Sequence, residues 1–330
     1  MMPELADLLG TARIVQLPMS TRFRGVTARE AVLFEGPEGW TEFSPFVEYA
    51  DDEAATWLHA AIDFGWRPTP PRLRDRIPVN ATIPAVAAES VPAVLARYPG
   101  ARTAKVKVAE PGQSLIDDLA RVRAVREQLG PEGRIRIDAN TLWNVDEAEH
   151  AIHTLAPYDL EYVEQPCATI EELAEIRRRI SYMGIPIAAD ESVRKAGDPL
   201  AVARAGAADL LIVKAQPLGG IHSALRIVAD AGLPVVVSSA LDTSVGIAMG
   251  AHLAAAIPDL DFDCGLGTAA LFTSDVAHEP LIPTDGGIPV TRPDLSPERL
   301  SELEAPADRR EWWLARVRRC HRLLERTEAL

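Results

Sequence analysis

The chain has 330 residues, 47% of them hydrophobic and 25% charged, which is the composition of a globular protein with a sizeable core. Its formal net charge of −14 argues against nucleic acids and anionic membranes as partners, because both require a basic protein face. The three cysteines, at 167, 264 and 320, are too far apart for a disulfide framework or a zinc site, so we expect reduced thiols and a cytoplasmic location.

The first 78 residues predict a small α+β segment. Residues 1–10 lack a basic stretch followed by an apolar one, so we expect no secretory signal, and no apolar run in the chain is long enough to span a bilayer. In chain order the segment predicts strands, a hairpin turn, a helix and a proline-rich linker: 13–17, 28–35 and 40–46 as strands, 35–39 as the turn, 54–64 as the helix and 67–73 as the linker.

Residues 79–276 contain eight short β-branched runs, most of them followed by a helical pattern. The runs are 81–84, 104–108, 134–138, 161–164, 185–190, 210–214, 234–238 and 260–264. From the third run onward their ends are 24 to 26 residues apart, the length that a strand, a helix and two turns require. The helical patterns are 115–129, 145–155, 170–183, 199–205, 221–231 and 244–256.

This alternation predicts an α/β fold, a (β/α)7β TIM-like barrel over residues 79–276. An open, doubly wound sheet is the alternative, but it usually has a glycine-rich loop after its first strand, and none follows the first two runs. Residues 277–330, rich in proline and charge and ending in a predicted helix at 309–328, are expected to complete a small α+β capping domain with residues 1–78.

Ionisable and polar side chains stand at the ends of successive predicted strands, where barrels of this type carry their functional groups. In chain order they are Lys105 and Lys107, Asp138 and Asn140, Glu164, Asp190, Lys214, and Ser238 and Ser239. A single charged residue at a strand end is more often a solvated or salt-bridged side chain than a functional one. Charges at five successive buried strand ends, however, would be destabilising without a role.

Three carboxylates converging from adjacent strands would repel one another unless a cation lay between them, and an all-oxygen set suits Mg²⁺. Lys107 and Lys214 would flank the metal, whose charge favours a neutral amine that can act as a base. Lys105 points the same way as Lys107 and would favour its neutral form further. Together these groups predict removal of the proton α to a carboxylate, with the metal as Lewis acid.

Other polar residues carry weaker predictions. Asn140 is a candidate for contact with the metal or substrate, or for a helix cap. Glu191 either lies near the metal ligands or points away. The seven histidines form no cluster in the sequence and are treated as ordinary residues.

The ordered motifs resemble the enolase superfamily, in its muconate-lactonizing subgroup. They are LysValLys at 105–107, AspAlaAsn at 138–140, ValGluGlnPro at 163–166, AlaAspGluSer at 189–192, and Lys214. The resemblance implies that Asp138, Glu164 and Asp190 hold Mg²⁺, that Lys107 takes the α proton and that Lys214 stabilises the resulting enediolate as a cation.

Finer motifs are similar to the o-succinylbenzoate synthase family of menaquinone biosynthesis. They lie at 23–27, 40–46, 238–246, 264–268 and 311–313. The resemblance implies dehydration of 2-succinyl-6-hydroxy-2,4-cyclohexadiene-1-carboxylate to o-succinylbenzoate, with Lys107 returning the proton to the departing hydroxyl. Ser238 and Gly265 would then contact the succinyl end of the substrate.

Several alternatives stay open at this stage. Arg22 and Arg24 lie on a stretch near 18–26 expected to form a loop over the site, where either would meet a substrate carboxylate or remain an ordinary surface arginine. Asp261 and Asp263 resemble the paired aspartates of dipeptide epimerases. The competing hypotheses are therefore racemisation of N-acylamino acids, dipeptide epimerisation, cycloisomerisation and an inactive binding scaffold. An inactive scaffold would be expected to have lost a lysine or a metal ligand, and none is lost.

Overall fold

The computed structural model describes residues 2–23, 25–194 and 198–328. Its N-terminal part is a three-stranded antiparallel sheet in the order β1-β2-β3, preceded by a short helix. The elements are α1 (Leu5–Thr11), β1 (Arg13–Phe23), β2 (Val26–Gly36) and β3 (Gly39–Phe43). Gly36 pairs with Gly39, which confirms the predicted hairpin turn. β1 is longer than predicted, so most of the 18–26 stretch is strand where a loop was expected.

The two ends of the chain share a hydrophobic core. Helices α2 (Asp51–Trp66) and α12 (Ala307–Glu328) pack against the antiparallel sheet, as their apolar residues predict. Trp313 of α12 is fully buried, its ring meets that of Phe43 edge-on with centroids 5.8 Å apart, and its Nε1 donates to Glu30 at 2.7 Å. Residues separated by most of the chain therefore stabilise the same small layer.

A curled sheet of seven parallel strands forms the body of the molecule, in the order β11-β10-β9-β8-β7-β6-β5. The strands are β5 (Ala81–Ile83), β6 (Thr103–Lys107), β7 (Arg134–Asp138), β8 (Leu160–Glu164), β9 (Ile187–Ala189), β10 (Leu210–Val213) and β11 (Val235–Val237). Each coincides with one of the first seven predicted runs. Alternate side chains point into the curl, so Leu210 and Ile212 pack inside it and Lys214 follows on the same face.

The eighth predicted run, 260–264, does not form a strand. Instead, Cys264 makes an isolated parallel bridge with Val79, and Gly265 makes another with Ser238. The amide of Cys264 donates to Pro78 and that of Gly265 to Val237, both at 2.8 Å. This short connection lies between the first and last strands of the sheet, which gives the fold its TIM-like form.

Helices follow most of the parallel strands and begin at well-defined caps. Asn144 and Thr169 each form a reciprocal capping box with a glutamate three residues later, as such sequences favour. The helices are α3 (Val91–Leu95), α4 (Leu115–Leu129), α5 (Val145–Leu155), α6 (Ile170–Ile180), α7 (Glu191–Arg194), α8 (Ala201–Arg204), α9 (Ile221–Ala231) and α10 (Ser244–Ala256).

The remaining elements connect the two layers. β4 (Arg76–Pro78) pairs with β12 (Gly287–Pro289), and α11 (Pro297–Glu302) precedes the C-terminal helix. Among the described residues, no helix combines the length and the apolar character that crossing a membrane demands.

Candidate active site

The predicted ionisable residues meet at the carboxyl ends of the parallel strands. The sheet register places Lys107 beside Asp138, and Asp138 beside Glu164. Asp190 follows β9 directly, and Lys214 follows β10. The two lysine-bearing strands thus lie on either side of the three that carry carboxylates, as the spacing of the motifs predicts.

Two lysines neutralise the first two carboxylates. Lys107 Nζ lies 2.5 Å from Asp138 Oδ2 and 2.6 Å from Asn140 Oδ1. Lys105 Nζ lies 2.8 Å from Glu164 Oε1 and also reaches Asp138. All of these carboxylates are almost completely buried, so the ammonium groups compensate charges that would otherwise be costly.

The pKa values in this group differ because the burial and charge of each residue differ. Burial, assisted by the neighbouring Asp138 carboxylate, raises the pKa of Glu164 to about 7. Burial also opposes ionisation of Asp138, but the ammonium groups of Lys107 and Lys105 hold its pKa below the usual range. The pKa of Lys105 is raised, because Glu164 and Asp138 outweigh its desolvation.

Lys214 and Arg194 share the third carboxylate. Lys214 Nζ lies 2.7 Å from Asp190 Oδ2, and Arg194 Nε lies 3.1 Å from Asp190 Oδ1. Arg194 also contacts Glu191 and the hydroxyl of Tyr49, which comes from the N-terminal layer. Burial lowers the pKa of Lys214 from its ordinary value, and the Asp190 carboxylate beside it acts in the opposite direction.

The three carboxylates have the chemistry of a site for a divalent cation. Asp138, Glu164 and Asp190 present only oxygen, are nearly fully buried and repel one another, which is the chemistry that Mg²⁺ neutralises. Glu191, adjacent to Asp190, has a buried Oε2 without a hydrogen-bond partner. In the described ranges no three acidic, histidine or cysteine side chains are grouped as a ready metal site; the three lysine ammonium groups instead contact the carboxylates.

A pocket opens over these groups. The predicted residues Lys105, Lys107, Asp138, Asn140, Asp190, Lys214, Ser238, Ser239 and Gly265 all line it. Glu164 does not line the pocket, but it accepts a hydrogen bond from Lys105, which does. Gly265 is needed where it stands, since a Cβ there would lie 2.4 Å from Ser238 Oγ.

The pocket also contains residues that the sequence analysis did not single out: Thr82, Ala240, Leu241 and Thr268. Ser239 Oγ lies 2.7 Å from Thr268 Oγ1 and donates to Gly265 O at 2.8 Å, so the wall is internally hydrogen-bonded. Because side chains alternate between the two faces of a strand, the pattern of β5 could have indicated that Thr82 points into the curl of the sheet. Leu241 lies within the 238–246 motif, but no strand alternation indicates that it lines the pocket.

Strained backbone accompanies the site. Asn140, Gln165 and Leu241 have φ values of +45°, +39° and +61°, a region that non-glycine residues rarely adopt. Each of them follows closely after a strand that ends at the pocket. Such conformations cluster at functional sites because the surrounding structure has to hold them.

The structure bears on one of the open alternatives, the aspartate pair at 261 and 263. Asp263 Oδ2 accepts from Thr103 Oγ1 at 2.5 Å, at the start of β6, whereas the pocket lies at its end, and Asp261 is exposed. This placement gives the aspartate pair no contact with the pocket and removes the support it gave to epimerisation. Arg24 lies outside the described residues, and the side chain of Arg22 is not described. No histidine lines the pocket in the described part of the chain.

Comparison with known proteins agrees with this geometry. The family model described as "Enolase C-terminal domain-like" matches residues 87–296, and "Enolase N-terminal domain-like" matches residues 14–65. The o-succinylbenzoate synthase of Mycolicibacterium smegmatis is 56% identical over 98% of each chain. That of Mycobacterium tuberculosis is 57% identical, covering 98% of this chain and 97% of the relative.

Solved structures share the fold at low identity. Muconate lactonizing enzyme from Pseudomonas putida is 19% identical with a TM-score of 0.72, covering 89% of this chain and 98% of that one. N-succinyl Arg/Lys racemase from Bacillus cereus is 20% identical with a TM-score of 0.74, covering 89% and 97%. These two similarities concern architecture alone. From the family models and the full-length relatives together, the chain belongs to the enolase superfamily and, within it, to the o-succinylbenzoate synthase family.

Proposed function

We propose that the chain dehydrates 2-succinyl-6-hydroxy-2,4-cyclohexadiene-1-carboxylate to o-succinylbenzoate, with Lys107 as the base. Membership of the family makes it a carbon–oxygen lyase of menaquinone biosynthesis. The observation that carries the proposed roles is the placement of Lys107 and Lys214 on either side of three buried carboxylates at the carboxyl ends of adjacent strands.

Lys107 in its neutral form would take the proton at ring carbon 1, leaving an enediolate. The electron pair of the broken C–H bond then forms the double bond to carbon 6, and the hydroxyl on carbon 6 leaves. Lys107 returns the proton to that hydroxyl, so that water and an aromatic ring are the products. Asn140 Oδ1, 2.6 Å from Lys107 Nζ, would orient the amine.

Lys214 would remain a cation opposite the base and stabilise the negative charge of the enediolate. Asp138, Glu164 and Asp190 would hold Mg²⁺, which supplies Lewis-acid stabilisation of the substrate carboxylate when bound. Lys105, already shared between Glu164 and Asp138, would keep those carboxylates oriented at the edge of the pocket.

The polar wall of the pocket would bind the succinyl end of the substrate. Ser238 and Ser239 present hydroxyl groups there, and Gly265 leaves the space that a side chain would fill. Arg24 would be a further partner for a substrate carboxylate.

The domain boundaries expected from the sequence belong to the same proposal. Residues 79–276 would form the (β/α)7β catalytic barrel, and residues 1–78 and 277–330 the cap, because those two ends share a core. The three cysteines are buried and unpaired, which supports a cytoplasmic location.

Racemisation of N-acylamino acids is the second candidate. It is favoured by the position of Lys107 and Lys214 on both sides of the carboxylates, which permits one lysine to remove a proton and the other to return it. Two assays distinguish the reactions. Dehydration consumes the cyclohexadiene substrate, whereas racemisation exchanges the α proton of N-succinylamino acids in D2O.

The test is the loss of ultraviolet absorbance of the cyclohexadiene, followed with Mg²⁺ and with chelator. Wild type should turn over only with Mg²⁺, and Lys107→Ala should lose activity by about 10²-fold or more, the usual contribution of a general base. Arg123→Ala, which removes an exposed ion pair, is the control and should match wild type. Absence of turnover by folded, Mg²⁺-loaded wild type would refute the proposed reaction.

A further inference from the structure

Residues 238–246, here called the wall segment, run from one side of the pocket into the first turn of α10. Ser238, Ser239, Ala240 and Leu241 line the pocket, and the segment then leads into α10. Leu241 has a left-handed backbone conformation, with φ of +61°, which a leucine does not adopt without restraint. The position of the wall therefore depends on what holds this turn.

Arg29, on β2 of the N-terminal sheet, holds the turn from outside the barrel. Its Nε donates to Leu241 O at 3.2 Å, and its Nη2 lies 3.4 Å from Ala240 O. The same nitrogen donates to Ser44 O, and the guanidinium stacks over the Phe46 ring at 4.2 Å. Because Arg29 is only 3% exposed, water does not readily replace these bonds.

Glu42, on β3, holds the other end of the wall segment. Its carboxylate is fully buried and accepts from Thr243 N, Thr243 Oγ1 and Gly246 N, at 3.1, 2.5 and 2.9 Å. It thus completes the N-terminal cap of α10 from a different layer of the molecule. A Cβ at Gly246 would lie 2.6 Å from Asp242 Cβ and 3.0 Å from Glu42 Cδ, so this close approach of Glu42 requires a glycine.

We infer that Arg29 and Glu42 are positioning residues that set the affinity of the pocket for its substrate by holding the wall segment in place. The inference rests on the proposed function, since the substrate end in question is the succinyl chain assigned above to this wall. Neither residue is among the described residues that line the pocket. Their loss should therefore weaken substrate binding more than proton transfer.

The experiment compares Arg29→Met, Arg29→Lys and the matched control Arg292→Met. Arg292 also stacks on a phenylalanine, Phe64, at 3.7 Å and donates to a backbone carbonyl at 2.7 Å, but it has no contact with the wall segment. Arg29→Met should raise KM for the cyclohexadiene about tenfold, with kcat within about threefold of wild type. Arg29→Lys should recover part of the loss, and Arg292→Met should leave KM unchanged.

Glu42→Gln and Glu42→Ala extend the test to the second contact. Glu42→Gln keeps an acceptor oxygen and should raise KM less than Glu42→Ala does. Calorimetric binding of o-succinylbenzoate, which needs no turnover, should weaken in the same order. If Arg29→Met does not fold, the KM and product affinity of Arg29→Lys and Glu42→Gln are compared with those of wild type instead.

The outcomes separate this inference from the proposed function. No turnover by wild type would refute the proposed reaction. Normal wild-type turnover, with KM and product affinity unchanged in the folded Arg29 and Glu42 variants, would overturn the positioning role alone. An equal rise of KM in Arg292→Met would also overturn it, because the effect would then be a general loosening of the protein.

Discussion

Lys105 Nζ lies 2.8 Å from Glu164 Oε1 and 3.3 Å from Asp138 Oδ2, so that one ammonium group is shared by two buried carboxylates. The burial of all three groups makes the arrangement sensitive to loss of one partner, because an uncompensated charge would remain inside the barrel. Lys105 is therefore expected to matter for stability as well as for substrate binding.

Lys105→Met should destabilise the metal-free protein by about 3–5 kcal/mol, the usual cost of breaking a buried pair. Mg²⁺ should recover much of that loss, since the cation would neutralise the same carboxylates. Urea unfolding in chelator and in Mg²⁺ measures both effects. Arg123→Met, which breaks an exposed pair, serves as control and should cost at most about 1 kcal/mol. Equal stability of the two variants in chelator would contradict the prediction.

Mg²⁺ should stabilise wild type by about 2.7 kcal/mol at a concentration one hundred times its dissociation constant. The effect requires binding to the folded state, and the proposed ligands are all oxygen atoms at the ends of adjacent strands. Glu164→Gln should reduce the stabilisation, and additional replacement of Asp138 and Asp190 by asparagine should abolish it. Thermal unfolding at several Mg²⁺ concentrations tests this, and a triple variant that still responds like wild type would exclude these ligands.

Gly265→Ala should raise KM, because the added Cβ would lie 2.4 Å from Ser238 Oγ and 3.0 Å from Ser238 Cβ. Either the serine moves or the pocket narrows. Ser238→Gly removes the obstructing atoms, so the double variant should lose less activity than the two single changes predict together. A double-mutant cycle on kcat/KM measures this coupling, and strict additivity would show that the contact does not shape the pocket.

Stability should also depend on pH through Glu42, whose pKa is raised to about 7 by burial and by the nearby Asp242 carboxylate. A carboxyl with a raised pKa in the folded state favours folding below its unfolded pKa, and that contribution is lost as the pH rises through 7. Relative to Glu42→Gln, wild type should therefore lose stability between about pH 4.5 and 7, by at most about 1.4 kcal/mol per pH unit. Denaturant unfolding of both proteins across this pH range provides the measurement. A difference in stability between wild type and Glu42→Gln that does not change with pH would refute the prediction.

Much of the site followed from the sequence because chain order and strand order coincide. In a parallel sheet, regularly spaced strands place their ends at one edge, so the motifs at 105–107, 138–140, 163–166 and 189–192 had to meet. The alternation of side chains then settled which of them face inward. The eighth run differs because Phe262 and Asp263 make contacts of their own, and only Cys264 and Gly265 bridge to neighbouring backbone.

Contacts between the layers were not predictable in the same way. Glu42 and Thr243 are 201 residues apart, and no periodicity links a position on β3 to the start of α10. The sequence ranges 40–46 and 238–246 both contributed to the family resemblance, yet only the structure shows that they touch. The ion pairs of Lys105 with Glu164 and Asp138 were likewise not predicted, because the sequence indicated only that Lys105 points the same way as Lys107.

The acceptor that Glu42 provides for α10 has a consequence for how the chain can be divided. The amides of Thr243 and Gly246 are buried, and their partner comes from β3, about 200 residues earlier. A barrel expressed without residues 1–66 would begin a mostly apolar helix with amide groups that lack the carboxylate they donate to. We therefore expect a barrel expressed without the N-terminal sheet to lose stability at the start of α10, and a chimera that exchanges this sheet between relatives to retain more activity when the wall segment is exchanged with it.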